Sequence, residues 1–415
     1  MNRDFRFPIS DFRFRKGSSA RGLLWAAVGA ALAIGCASCG RPRPADAPPK
    51  PRAIRPPKAE AIEAAIGRGM AFLLERQNKD GSWGSARNTK GLNIYAPVPG
   101  AHHGFRAAVT SLCLSALIET GGGSPVAQKA IERGEAWLVE NLPRVRRAEP
   151  AALYNVWGHA YGIEALVRLL GRQQPGDASR RERLVALIRE QIGFLERYES
   201  VDGGWGYYDF NAHTQKPSGS PTSFTTATGL VALHEAKAAG VPVPEKLVQR
   251  AVATVHRQQK PDFTYLYAEP WKFRPMYPIN RPGGSLGRSQ VCNLALRLWG
   301  DARITDEVLK TWLDRLFARN GWLDMGRKRP IPHESWFQVA AYFFYYGHYH
   351  AALCIEQLRH DERKHFQDHL AYVLLRLQEK DGSWWDFPFY DYHQQYGTAF
   401  ALMSLARCRR GTPGS

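Results

Sequence analysis

Seven residues near the C-terminus, Gln378-Glu379-Lys380-Asp381-Gly382-Ser383-Trp384, constrain the fold more than any other stretch. Nearly the same words occur near the other end, as Gln77-Asn78-Lys79-Asp80-Gly81-Ser82-Trp83. A looser copy, Glu199-Ser200-Val201-Asp202-Gly203-Gly204-Trp205, lies between them. Asp-Gly marks a turn, because Asp bonds its local backbone and Gly accepts positive φ. The tryptophan that follows is large and apolar, so it is expected to dock the turn onto a helix pair. Asp80, Asp202 and Asp381 stand 122 and 179 residues apart, near multiples of 60. Degenerate copies at Asn141, Asp262 and Asn320 complete a series with steps of 61, 61, 60, 58 and 61 residues. A fixed period of this kind means a repeat architecture.

The pattern around each step is helix, turn, loop, helix. The six predicted pairs are residues 59–77 with 105–120, 125–141 with 156–170, 180–199 with 223–238, 244–258 with 286–299, 305–319 with 335–358, and 361–377 with 394–407. In most pairs the first helix is the more charged one. The second is apolar nearly all round and rich in small residues, as in Ala107-Ala108-Val109-Thr110-Ser111-Leu112-Cys113-Leu114. A helix apolar on every side is buried on every side. Six such pairs predict an all-α fold of two concentric helix rings, with an open solenoid as the alternative.

The chain ahead of the repeats differs in kind. The protein has 415 residues and a net charge of +18, of which residues 1–58 carry +9. Arg3, Arg6, Arg13, Arg15, Lys16 and Arg21 precede an apolar run from Gly22 to Gly35, too short to span a membrane. This pattern predicts a signal peptide over residues 1–35. The run ends in Leu32-Ala33-Ile34-Gly35-Cys36, similar to a bacterial lipobox except for Ala33. That similarity implies lipidation at Cys36, with Cys39 the second candidate, and an exported chain anchored at the outer face of a bacterial membrane; an ordinary signal peptide or a single N-terminal anchor is the alternative. Residues 36–58 read as a Pro-rich tether, and residues 59–415 as the repeat domain. No basic stripe interleaved with aromatics occurs, so nucleic acid is not an expected partner. Cys113, Cys292, Cys354 and Cys408 are widely spaced in apolar runs and predict core packing rather than a metal site.

The Gln-x-Lys-Asp-Gly-Ser-Trp turns, with the variant at Glu199, resemble the repeats of squalene and terpene cyclases and of protein prenyltransferase β subunits. The resemblance covers residues 59–415 and implies a single α/α toroid of six helix pairs. It also implies places to look for chemistry. The Asp-x-Asp-Asp acid of the cyclases is absent, for no Asp-Asp pair occurs in the chain. No cysteine has an Asp two positions before it, so the prenyltransferase zinc site is not matched. The Cys-Gly-Glu-Gln of thioester toroids is missing too. No cofactor and no metal are expected.

A ring of inner helices leaves a funnel at one end, and the starts of those helices surround it. The candidate ligand-binding residues there are His102, His103, Tyr154, Trp157, His159, Arg288, Trp336 and Tyr392. The candidate catalytic residues are Asp209, His333, Glu334, Asp391 and His393, since a carboxylate among aromatics can act as an acid. The alternative is that these side chains cap helices and satisfy loop backbone. The aromatic run from Tyr342 to Tyr346 is a further candidate lining or core, and the loop 265–282 a candidate lid. Two functions stay open. One is a module that binds an apolar or polymeric ligand, with the usual catalysis lost. The other is an enzyme, either an atypical isoprenoid cyclase or a glycan-acting hydrolase or lyase.

Overall fold

The computed structural model describes residues 48–91, 98–172, 177–209 and 216–409. The predicted signal peptide and Cys36 lie outside them. Thirteen helices are described: α1 (Ala59–Glu75), α2 (Pro99–Thr120), α3 (Pro125–Asn141), α4 (Asn155–Gly171), α5 (Ala178–Arg197), α6 (Ser223–Ala238), α7 (Glu245–Arg257), α8 (Leu286–Leu298), α9 (Asp306–Ala318), α10 (Asn320–Asp324), α11 (Phe343–Glu356), α12 (His360–Leu375) and α13 (His393–Ala406). No strand is present among the described residues, only isolated bridges. No helix among them is long and apolar enough to cross a membrane. Local chemistry sets many boundaries. Ser124, Asp177, Thr222 and Thr305 each accept a backbone N–H of the first turn, and Pro125 opens α3 where no N–H is needed.

The two rings are as the pattern predicted. The inner ring runs α2, α4, α6, α8, α11, α13 and back to α2, so it is closed. Each inner helix is buried on all sides; 13 of the 14 residues of α11 are buried. The outer helices bury one stripe only, as α7 does with Leu247, Val248, Ala251, Thr254 and Val255. Inner helices can touch because small residues face each other. A Cβ on Gly347 would sit 2.7 Å from Gly287 Cα, so α8 and α11 meet backbone to backbone.

The repeated turns are corner brackets between the rings. Asp80 Oδ1 accepts the Ser82 amide at 3.1 Å and its hydroxyl at 2.7 Å, and Asp381 does the same for Ser383 at 3.0 and 2.7 Å. Trp83, Trp205 and Trp384 are fully buried. Their indole N–H groups donate to Leu73, Leu195 and Leu374 on the preceding outer helix, at 2.7–2.8 Å. Their backbone N–H groups donate to Thr110, Thr226 and Thr398 on the following inner helix, each at 3.0 Å. Gly81, Gly203 and Gly382 have φ of +93°, +91° and +86°, and each lies against a carbonyl of the next outer helix. Gln378 donates to Ala65 of α1 at 3.0 Å, so the last corner closes the outer ring onto its first helix.

Of the three degenerate copies, one forms a corner and two do not. The copy at Asp262 is a true corner with other letters: Phe263 takes the glycine position at φ +60°, and buried Tyr265 takes the tryptophan position. Asn141 forms no corner, because its side chain folds back on the Trp137 carbonyl and Pro143 continues a short 3-10 turn. Asn320-Gly321-Trp322 lies in a helical turn, α10, rather than a corner. For the same reason the fifth inner helix starts at Phe343 and not at Ser335. Residues 325–342 form a loop in which His333 and Gln338 have φ of +64° and +55°.

Candidate functional site: an aromatic funnel

Most lining residues of the central cavity come from the N-terminal halves of inner helices or the loops before them; Leu112 and Phe400 lie just past the middle of theirs. From α2 come Phe105, Ala108, Val109 and Leu112; from the start of α4, Tyr154, Trp157 and Tyr161; from α6, Phe224. Tyr342, Phe343 and Tyr346 enter with α11, and Tyr396 and Phe400 with α13. Loop residues Tyr207, Tyr208, Phe387 and Phe389 complete the wall. About 930 Å³ of unfilled space lies among these residues, part of it open solvent at the mouth. Fourteen of these 17 residues are aromatic and none is charged.

The rings hold one another in edge and stacked contacts. Phe224 meets Phe343 edge-on at 4.9 Å, Phe105 meets Phe389 at 4.5 Å, and Trp157 stacks on Tyr161 at 5.9 Å. Such pairs add roughly 0.5–1.5 kcal/mol each beyond area burial, which makes the wall stiff. Most tyrosine hydroxyls are tied back to protein. Tyr207 bonds Tyr267, which bonds Tyr342 at 3.3 Å, which in turn bonds His333 Nε2 at 3.4 Å. Tyr154 bonds Tyr208. Tyr396 donates to Asp386 Oδ1 at 2.6 Å behind the wall. Asp386 Oδ2 accepts the Tyr345 amide at 3.0 Å, so both carboxyl oxygens are engaged. Burial pushes the Asp386 carboxyl up to about 6.

The opposite end of the inner ring is closed by charge. Arg168 of α4 pairs with Glu119 of α2 at 2.7 Å and Glu235 of α6 at 2.8 Å. Arg407, just past α13, pairs with Glu119 and, at 3.0 Å, with Glu356. Glu164 lies fully buried beside them. Burial, with Glu235 nearby, pushes its carboxyl up to about 8 despite Arg168.

Of the residues chosen from sequence, Tyr154 and Trp157 stand on the wall. The others stand elsewhere. His159 faces outward, bonded to Gln191 at 2.8 Å and stacked on Phe194 at 4.8 Å. Arg288 is buried beneath Tyr267 and Phe343 and donates to the carbonyls of Gly284, Tyr265 and Ile279. His102 bonds the Tyr392 hydroxyl at 3.1 Å, Tyr392 is itself fully buried, and His103 is exposed. Trp336 is 75% exposed. Asp209 is sealed, paired with Arg147 at 3.0 Å and bonded by Ser218. Glu334 is exposed and pairs with Arg329 at 3.5 Å. Asp391 accepts from Ser85 at 3.0 Å and Gln395 at 3.1 Å. His393 is bonded to the Tyr390 carbonyl at 2.7 Å, and burial pushes its pKa down to about 4. Only His333 approaches the funnel, through Tyr342. The five acid–base candidates therefore do not converge on the cavity.

Sequence reasoning passed over Tyr161, Tyr207, Phe224, Phe387, Phe389 and Phe400. The signal was an aromatic spacing of three or four within inner helices: Trp157 with Tyr161, Phe343 with Tyr346, Tyr396 with Phe400. Phe344 and Tyr345, from the same aromatic run, are buried on other faces of α11 and line nothing.

The profile of the squalene-hopene cyclase C-terminal domain matches residues 52–272. No curated protein matches the chain. Among solved structures, an unsaturated glucuronyl hydrolase from Bacillus sp. GL1 is similar at 14% identity, covering 84% of this chain and 97% of its own, with a TM-score of 0.54. Cellobiose 2-epimerase from Spirochaeta thermophila is similar at 13% identity, 84% and 97% coverage and a TM-score of 0.52. A type II terpene cyclase from Scytonema matches at 13% identity over 85% of this chain and 99% of its own, with a TM-score of 0.48. The likeness to the first two is one of fold, the α/α toroid.

Proposed function

The chain belongs to the squalene-hopene cyclase C-terminal domain family, and on that premise we propose that its funnel binds one elongated or polycyclic apolar molecule of isoprenoid character. The observation that carries this reading is the wall: fourteen aromatic residues, three aliphatic ones and no charge. Burying roughly 300 Å² of ligand surface there is worth on the order of 7 kcal/mol before association costs. An anionic ligand such as a diphosphate would find no cation on the wall.

The alternative of glycan hydrolysis has less support. That chemistry needs two carboxylates facing the substrate. None lines the funnel among the described residues, and segments 92–97, 173–176 and 210–215 contain no Asp or Glu. An acid-initiated cyclase would need a carboxylic acid that donates into the cavity. Asp386 instead accepts bonds at both oxygens. The reading is therefore a binding module, and titration with a hydrocarbon and with a uronic-acid oligosaccharide tests it. Saturable binding of the first alone is expected.

The proposal extends to location. The leader of residues 1–35 and Cys36 read as an export signal with a lipid anchor, which would hold the funnel near a membrane where apolar molecules dissolve. Fatty-acid labelling in a bacterial host checks this. Label should appear on the full chain and vanish in Cys36→Ala; persistence in that variant and loss in Cys39→Ala would move the anchor.

A further inference from the structure

Seven tyrosines stand on the funnel wall. Six hydroxyls are committed to protein: Tyr154 and Tyr208 to each other, Tyr207 and Tyr342 to Tyr267, Tyr346 to Thr228 at 2.8 Å, and Tyr396 to Asp386. Tyr161 differs. It is 5% exposed, stacked under Trp157 and edge-on to Phe400 at 5.9 Å, and its hydroxyl makes no hydrogen bond among the described residues. Glu164 follows it by three positions on the same face of α4 and is 2% exposed. Its Oε1 has no hydrogen-bond partner either, and its Oε2 meets the Tyr349 hydroxyl at 3.5 Å and the Arg168 guanidinium at 4.0 Å. An unsatisfied buried polar group costs roughly 1–3 kcal/mol. Glu164 Oε1 is one such group. The Tyr161 hydroxyl, on the cavity lining one turn before it, is a second polar atom that protein leaves unbonded; together, at the closed end of an otherwise apolar cavity, they are what a polar group on a ligand would satisfy.

We propose that the floor of the funnel recognises a single oxygen function, a hydroxyl or carbonyl, at the end of an otherwise hydrocarbon ligand. The ligand then enters oxygen first, with its tail toward the mouth. Tyr161 is the contact residue. Glu164 lies one turn further from the mouth, behind the lining, and acts as a second polar group near the same point. The floor is suited to a neutral oxygen and not to an anion. Arg168 and Arg407 are already held by Glu119, Glu235 and Glu356. Burial holds the Tyr161 phenol and the Glu164 carboxyl in their neutral, proton-bearing forms near pH 7. A hydroxyl both donates and accepts, so it can pair with either group, whereas an ether can only accept and a hydrocarbon does neither.

This inference rests on the funnel being a binding site for apolar molecules, and its test separates the two. The probes are a C15 isoprenoid alcohol, its methyl ether and the parent hydrocarbon, titrated against the full chain by calorimetry. The wild type should bind the alcohol about tenfold more tightly than the hydrocarbon, with the ether between, as one added hydrogen bond predicts. Tyr161→Phe should lower alcohol affinity about tenfold and erase the difference between the probes. Glu164→Gln, which keeps the shape, should lower the preference several-fold. Equal binding of alcohol and hydrocarbon by the wild type, or a preference that survives Y161F, overturns the inference and leaves the apolar funnel standing. Binding of none of the three overturns both. Thermal melting of each variant separates a lost contact from a lost fold, and the alcohol-to-hydrocarbon ratio of the wild type needs no variant.

Discussion

At each Asp-Gly corner a tryptophan is sealed between an outer and an inner helix, its indole N–H and its backbone N–H both satisfied by protein. On the funnel wall an aromatic ring has protein on one side and cavity on the other, and at Tyr161 even the polar edge is left over. Both regions are rich in aromatics, yet one spends every contact on the fold and the other keeps surface in reserve. The corner side chains therefore report stability, and the wall side chains report binding. Substitutions that confused these two readouts would break the distinction.

The largest effect expected is at Trp384. Trp384→Ala should cost about 3–5 kcal/mol, the range for truncating a buried large aromatic, seen as a lowered denaturation midpoint. Ligand affinity measured where the variant is still folded should stay within threefold of wild type. Trp157→Ala should reverse the pattern, with about 1–2 kcal/mol of stability lost but affinity for a hydrocarbon probe reduced more than tenfold. Comparable stability losses from the two substitutions would contradict the separation.

Acid should act on the framework next. His159, His348 and His350 are buried and neutral, and burial pushes each down to about 4 from the ordinary 6.5. A folded pKa below the unfolded one means stability fully present above pH 6.5 and lost as pH falls from 6.5 toward 4. The loss is roughly 1–2 kcal/mol per histidine between pH 7 and pH 5. Glu164 and Asp386, raised by burial, act in the opposite direction. Chemical denaturation at the two pH values checks the sum, and His159→Phe should make the pH dependence shallower.

Smaller effects belong to the corner backbone. Gly382→Ala places a Cβ 2.6 Å from the Arg68 carbonyl at φ +86° and should cost about 1–3 kcal/mol. The corner at Asp262 already tolerates Phe263 at φ +60°. Phe263→Gly should change stability by less than about 1 kcal/mol, relief of backbone strain offsetting the lost ring contact. Asp262 Oδ1 accepts the Thr264 amide at 3.1 Å and its hydroxyl at that corner, and a large loss would mean that the Phe263 ring, and not these bonds, holds it.

The same contrast explains how much of the molecule was legible in the sequence. The corners repeat because one geometry demands Asp, a residue at positive φ and a large aromatic; helix pairs, ring order and closure followed from them. Asn320 was misread because Asn320-Gly321-Trp322 keeps the corner letters while Gly321 stays helical. The wall was mostly illegible, since its residues come from different repeats and an aromatic at every third or fourth helical position looks like core. The polar residues at helix starts drew attention and proved to serve the loops, His102 on Tyr392, Asp391 on Ser85, His393 on Tyr390. Tyr154 and Trp157 stood out because they lie at a helix start and are aromatic as well.

The most direct measurement is a calorimetric titration of the purified full chain, side by side, with a C15–C20 isoprenoid hydrocarbon and with a uronic-acid oligosaccharide. An apolar funnel predicts saturable one-to-one binding of the hydrocarbon, weakened more than tenfold by Trp157→Ala, and no heat from the oligosaccharide. Binding of the oligosaccharide with none of the hydrocarbon would contradict it.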